Sequence, residues 1–159
     1  MFNISLQNFL KLTFFITSVL LITVYIMQYG FNIMPCKLCI FQRFPYFAII
    51  ALLGLYLSID NKYNPKVILI IVTLFFLIST GLSLYHSLVE FKIIATDLQC
   101  AQLEDFNSKA SIYNDLIGKK AVSCDMATFK IFNLSLSNWN FLVSFIMLFF
   151  SIILIYKNK

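Results

Sequence analysis

The chain has 159 residues, of which 60% are hydrophobic and only 12% charged, and it carries 18 phenylalanines. A soluble domain of this length cannot hide so much apolar surface, because burial is limited by surface-to-volume scaling; the composition is that of an integral membrane protein. The net charge of +5 does not signal nucleic-acid binding, since no basic stripe is interleaved with stacking aromatics.

The first apolar run spans about Leu12 to Tyr29. Lys11 before it mimics a signal peptide, but no small-residue cleavage pattern follows, and Met34-Pro35-Cys36 lacks the small residue expected before a lipid-modified cysteine. The run reads as a retained transmembrane helix. Next comes "MPCKLCIFQRFPY", with Cys36 and Cys39 three apart and the only arginine, Arg43, four residues later. The second run, about Phe44 to Ile59, is expected to begin near Pro45, since proline is comfortable in a first helical turn. A turn at Asp60–Asn64 leads to Pro65, which opens a third helix over about Val67 to Tyr85.

A long polar segment from about His86 to Ser137 follows, too small and too polar to build its own core. Within it, Met126 to Leu136 is apolar enough for a short interfacial helix, and an ordinary surface loop fits equally well. The fourth run covers about Phe141 to Tyr156, with Ser137 or Asn138 as its cap and Trp139 as an interfacial anchor. Open sheets cannot span lipid, and the alternating strands of a barrel are absent. The expected fold is an all-α, four-helix transmembrane bundle forming one membrane domain.

Four spans put both termini on one side. Lys11, Lys62, Lys66, Lys157 and Lys159 sit at the tails and in one short loop, opposed only by Asp60, which assigns that side to the cytoplasm. Loops 30–43 and 86–137 then lie outside, the longer carrying five lysines against six acids. All four cysteines, Cys36, Cys39, Cys100 and Cys124, fall on this outer face. Disulfides form and persist in such an oxidising compartment.

Three chemistries compete for these cysteines. A four-cysteine zinc site usually presents two close pairs, whereas Cys100 and Cys124 are far apart and His86 has no second histidine. A Cys100–Cys124 staple would contribute roughly 3 to 4 kcal/mol by loop-closure entropy, but gives no reason for a second, strained pair at the membrane edge. A redox relay needs a thiolate attacker and a good leaving thiolate. Cys39, just before the expected helix, feels its N-terminal dipole, with Lys37 and Arg43 nearby. Arg43 alone reads equally well as a residue snorkelling to lipid phosphate. Electrons released at the bilayer rim can pass to a bilayer-soluble acceptor such as quinone. His86 and Glu90, spaced i, i+4, share a helix face near that rim, and by spacing alone His86 is better read as a favourable helix-end cation.

The sequence resembles the disulfide bond formation protein B (DsbB) family of bacterial inner-membrane oxidases. "PCKLCIFQRFPY" resembles its Pro-Cys-x-Leu-Cys-x-x-x-Arg signature, "LYHSLVEF" its Tyr-His-x-x-Val-Glu stretch, and "SCDMATFKIFNLSLSNWNFL" its second loop cysteine and entry to the last helix. The family usually has glycine after the histidine, where Ser87 and Leu88 stand here. The resemblance implies that a periplasmic thioredoxin-like, DsbA-like partner attacks a Cys100–Cys124 disulfide at Cys100. Cys124 would then attack Cys36, releasing Cys39 toward quinone (ubiquinone or menaquinone). Arg43 would support the quinone, with His86 a further candidate for that pocket. A vitamin K epoxide reductase-like enzyme would carry its CxxC late in the bundle, unlike this chain. The alternative from another class is a non-enzymatic membrane scaffold or metal-binding protein with structural cysteines.

Overall fold

The computed structural model describes residues 5–33, 35–59, 63–94, 130–131 and 134–157. Four helices carry the chain: α1 (Leu6–Gly30), α2 (Lys37–Ser58), α3 (Pro65–Glu90) and α4 (Leu136–Lys157). Each is long and apolar enough to cross a membrane, so the four-span all-α expectation holds. Just before α4, β1 (Lys130–Ile131) pairs antiparallel with β2 (Leu134–Ser135), matching Lys130 with Ser135 and Ile131 with Leu134. That ladder replaces the interfacial helix considered for Met126–Leu136, as far as its described residues go.

The helices run longer than the apolar stretches, and at α2, α3 and α4 a side-chain cap marks the first turn. The largest difference is at α2. It starts at Lys37 rather than near Pro45, because the Cys36 side chain caps it by accepting the Cys39 N–H at 3.3 Å. Pro45 consequently lies inside the helix and is buried. Its missing N–H leaves the Phe41 carbonyl without its usual donor, a defect that packed membrane helices accommodate. Pro65 does open α3, and the Asn64 side chain accepts the Lys66 N–H at 3.0 Å. At α4 the cap is Ser135, whose hydroxyl accepts the Asn138 N–H at 3.3 Å, rather than Ser137 or Asn138. Trp139 falls in the first turn of α4 and is 37% exposed.

The described ends of α1 and α3 both turn through a left-handed residue. Asn32 (φ 52°) precedes the Ile33 N–H bonded to the Met27 carbonyl, and Lys92 (φ 58°) precedes the Ile93 N–H bonded to Leu88. Asparagine tolerates this conformation through its short polar side chain; for lysine it costs roughly 1–2 kcal/mol, offset by the carbonyl that the turn satisfies.

Helix α3 packs most extensively on α4 and next on α2, while α1 lies along α2. Lipid tails are as apolar as leucine, so the helices associate through close packing and hydrogen bonds rather than the hydrophobic effect. Accordingly, fully buried serines line the α3–α4 seam: Ser79 and Ser144 hydroxyls meet at 3.0 Å, and Ser83 and Ser151 return their hydroxyls to the carbonyls one turn back. Tyr46 of α2 joins this seam, its hydroxyl 2.7 Å from Ser144 and 2.5 Å from Asn140 Oδ1. Beside the polar node, Ile49, Leu53, Leu69, Val72 and Phe76 form the apolar core. Large side chains such as Phe15 and Phe44 point outward, where lipid rather than water is their solvent. The consequence for function is positional: α2 and α3 are pinned side by side, so the N-terminus of α2 meets the C-terminus of α3.

Candidate functional site

At that meeting point stand the two membrane-edge cysteines. Cys36 occupies the cap and Cys39 the first turn of α2, and both are thiols. The spacing places their sulfurs 3.0 Å apart, with Cys36 donating to Cys39. From α3, which continues as helix past Tyr85, His86 brings its Nε2 to 3.6 Å from the Cys36 sulfur. Leu38, Val89 and the partly buried Tyr85 enclose this trio in a small apolar cluster. Cys36 and His86 are buried, while Cys39 is half-buried.

The electrostatics separate the two thiols. The hydrogen bond from Cys36 to Cys39, followed by burial, pushes the Cys36 pKa up from the ordinary 9.0 to about 12. His86 and the Cys39 amide act in the opposite direction but are outweighed. Cys36 therefore keeps its proton and directs it at the Cys39 sulfur, an arrangement that favours negative charge on Cys39 rather than on Cys36. The sequence expectation placed Cys39 ahead of the helix. Instead it lies within the first turn, and the sulfur that accepts a helix amide is that of Cys36.

Arg43 lies one turn further along α2 and reaches α1. Its Nη1 donates to Gln28 Oε1 at 2.5 Å, and its guanidinium sits 5.2 Å from the centre of the Tyr25 ring. The Nε is buried without a hydrogen-bond partner among the described residues, as is His86 Nδ1. Gln28 was detectable as a lone amide near the end of an apolar run; nothing in the sequence paired it, or Tyr25, with Arg43.

Glu90 shares the outer turn of α3 with His86 but serves a different neighbour. Its Oε2 accepts the Ser135 hydroxyl at 2.5 Å and the Ser137 hydroxyl at 2.6 Å, fastening the start of α4 to the end of α3. The helix-end reading of His86 gives way to a buried ring against Cys36. Cys100 and Cys124 lie outside the described residues. Of the six expected site residues, Cys36, Cys39 and His86 come together, and Arg43 is held at the α1–α2 boundary beside them.

The family model for disulfide bond formation protein DsbB matches residues 7–154. A protein of Rickettsia prowazekii (strain Madrid E), named as uncharacterized protein RP370, is 33% identical over 150 residues, covering 91% of this chain and 85% of that protein. A match spanning all four helices, together with a CxxC thiol pair seated at the head of α2, places the chain in the DsbB family of multi-pass membrane oxidoreductases that act in disulfide-bond formation.

Proposed function

We propose that the protein is a quinone-linked thiol oxidase of the bacterial inner membrane, with cytoplasmic termini and its cysteines facing the periplasm. Its partner is a periplasmic thioredoxin-fold, DsbA-like protein. The observation that carries this reading is the asymmetric pair at the head of α2, where Cys36 holds the proton and Cys39 is disposed to carry the charge.

The electrons leave the partner's dithiol as a pair. The partner's thiolate attacks Cys100 of a Cys100–Cys124 disulfide, and its second thiol resolves the mixed disulfide, so the partner departs oxidised. Cys124 as thiolate then attacks Cys36 of the Cys36–Cys39 disulfide and releases Cys39 as the leaving thiolate. Attack of Cys100 on Cys124 restores the loop disulfide and frees Cys36, whose proton then rests toward Cys39. Each exchange breaks one sulfur–sulfur bond and forms one.

A bound quinone would supply the terminal acceptor of the two electrons and two protons released when the Cys36–Cys39 disulfide is restored. The residues present suit such a carbonyl-bearing ligand. Arg43 Nε is a buried donor with no partner among the described residues, and a guanidinium is a fixed fork for oxygen acceptors. Arg43 would bind and orient the acceptor, while His86 beside Cys36 would receive the thiol proton when that sulfur must attack.

Quinone reduction by the purified protein, fed a reduced thioredoxin-fold substrate, tests the reading. Cys39→Ser should abolish turnover; a wild-type rate in that variant overturns the relay. A partner whose resolving cysteine is replaced by serine should, on attacking the Cys100–Cys124 disulfide of the oxidised protein, stay bonded to Cys100 as Cys124 leaves as a thiolate, and trapping through another cysteine would overturn the assigned order.

A further inference from the structure

Residue spacing argues against a metal site, because the cysteine pairs are unequally spaced and the chain has one histidine. The fold supplies what spacing could not. One donor atom from each of Cys36, Cys39 and His86 lies within 4.8 Å of the other two, two donors from the head of α2 and one from near the outer end of α3. We propose that, in the reduced protein, these three atoms form a binding site for one thiophilic cation of the zinc group.

Geometry supports it first. Metal–sulfur bonds of about 2.3 Å and metal–nitrogen bonds of about 2.0 Å at tetrahedral angles separate neighbouring donors by roughly 3.5 to 3.8 Å. The Cys36–His86 separation of 3.6 Å already has that value. The two sulfurs, at 3.0 Å, must open by about 0.8 Å to reach the thiolate–thiolate separation, a movement that falls to rotation of the half-buried Cys39 side chain. Two thiolates, one imidazole and an open fourth position match one of the donor sets that bind zinc, and thiolate with imidazole selects this class of ion over magnesium or calcium.

The surroundings support it second. His86 is 4% exposed, and among the described residues its Nδ1 has no partner and its Nε2 meets the weak acceptor and donor that the Cys36 thiol offers. A buried imidazole this poorly satisfied gains more from a cation than a solvated one would. The N–H of Cys39 stabilises negative charge on Cys36, and Leu38 and Val89 keep bulk water from competing. Binding displaces the two thiol protons to solvent and moves no electrons.

The site exists only while the pair is reduced, because in the disulfide each sulfur is bonded to the other. Occupancy therefore opposes oxidation of Cys36 and Cys39. If the quinone-linked reading above holds, the cation inhibits turnover; binding itself does not depend on that reading.

Cadmium(II) is the probe, since its bonds to thiolate absorb in the ultraviolet. The full chain carrying Cys100→Ser and Cys124→Ser keeps only the two relevant thiols, and no quinone or partner protein is needed. The reduced protein should bind one cadmium per chain, zinc should displace it, and the oxidised protein should bind none. His86→Ala should weaken binding at least tenfold and Cys36→Ser at least a hundredfold. In the parent protein, cadmium NMR should show coupling to the ring protons of His86, a readout that does not require the His86 variant to fold. Equal affinity in His86→Ala, or cadmium bound without coupling to the imidazole, overturns the three-donor site.

Discussion

His86 Nε2 stands 3.6 Å from the sulfur of Cys36, across a boundary between two helices whose contact is fixed far below, at Tyr46, Ser79 and Ser144. The thiol proton of Cys36 is thereby caught between two influences. Cys39 holds it in place and His86 draws it away, and the first dominates.

The reduced pair should consequently react unevenly with iodoacetamide. With its pKa pushed up to about 12, Cys36 at about pH 8 holds roughly a thousandth of the thiolate present on an ordinary cysteine. Trypsin cuts after Lys37, so mass spectrometry reads Cys36 and Cys39 on separate peptides. In the Cys100→Ser, Cys124→Ser protein, the first alkylation should fall on Cys39 by at least tenfold, and His86→Ala should slow Cys36 further. The same shift has a stability sign. A raised thiol pKa stabilises the folded, reduced protein fully below about pH 9, and that contribution is lost as pH rises toward 12. Faster first modification of Cys36 would contradict the arrangement.

The quinone contact proposed for Arg43 is separable from its part in the fold. Its hydrogen bond to Gln28 and its placement over Tyr25 join α1 to α2, and Arg43→Ala should cost about 1–3 kcal/mol in detergent unfolding. Quinone support is a different property, visible as apparent KM. Arg43→Ala should raise the KM for quinone about tenfold or more, whereas Gln28→Ala should lower stability with a smaller rise. Arg43→Lys retains charge but not the planar fork, so it should recover only part of the affinity. An unchanged KM in Arg43→Ala would leave the residue as a helix clamp alone.

Glu90 offers a purely structural comparison on the same turn of α3. Both serine hydroxyls that it accepts, from Ser135 and Ser137, belong to the entry of α4. Glu90→Ala should destabilise the bundle by about 2 kcal/mol, and Glu90→Gln, which keeps a carbonyl acceptor, by about half as much. Thermal unfolding of the purified variants measures the difference. Equal stability of the alanine variant and the parent would show that the two hydroxyls find other acceptors.

Membrane residence, four spans and the family were legible in the sequence, because apolar run length answers directly to bilayer thickness and the cysteine motifs are contiguous. Pro65 opening α3 was legible for the same reason: its effect on the backbone is local. The start of α2 was not. Hydropathy pointed to Pro45, but a side-chain cap from Cys36 began the helix earlier, and the packed bundle accommodated the buried proline within it.

Only tertiary structure decided which polar groups meet. His86 and Glu90 look alike in spacing, yet one ring turns to Cys36 while the carboxylate turns to Ser135 and Ser137. Arg43, balanced in sequence between lipid anchor and quinone contact, proves to be held by Gln28 and Tyr25 of α1. Such pairings depend on how α3 rotates against its neighbours, and that rotation is set by the packing of a whole helix face, from Leu69, Val72 and Phe76 to Ser79 and Ser83. A cysteine pair can therefore be recognised from its motif, but the histidine beside it becomes a partner only once the bundle has closed.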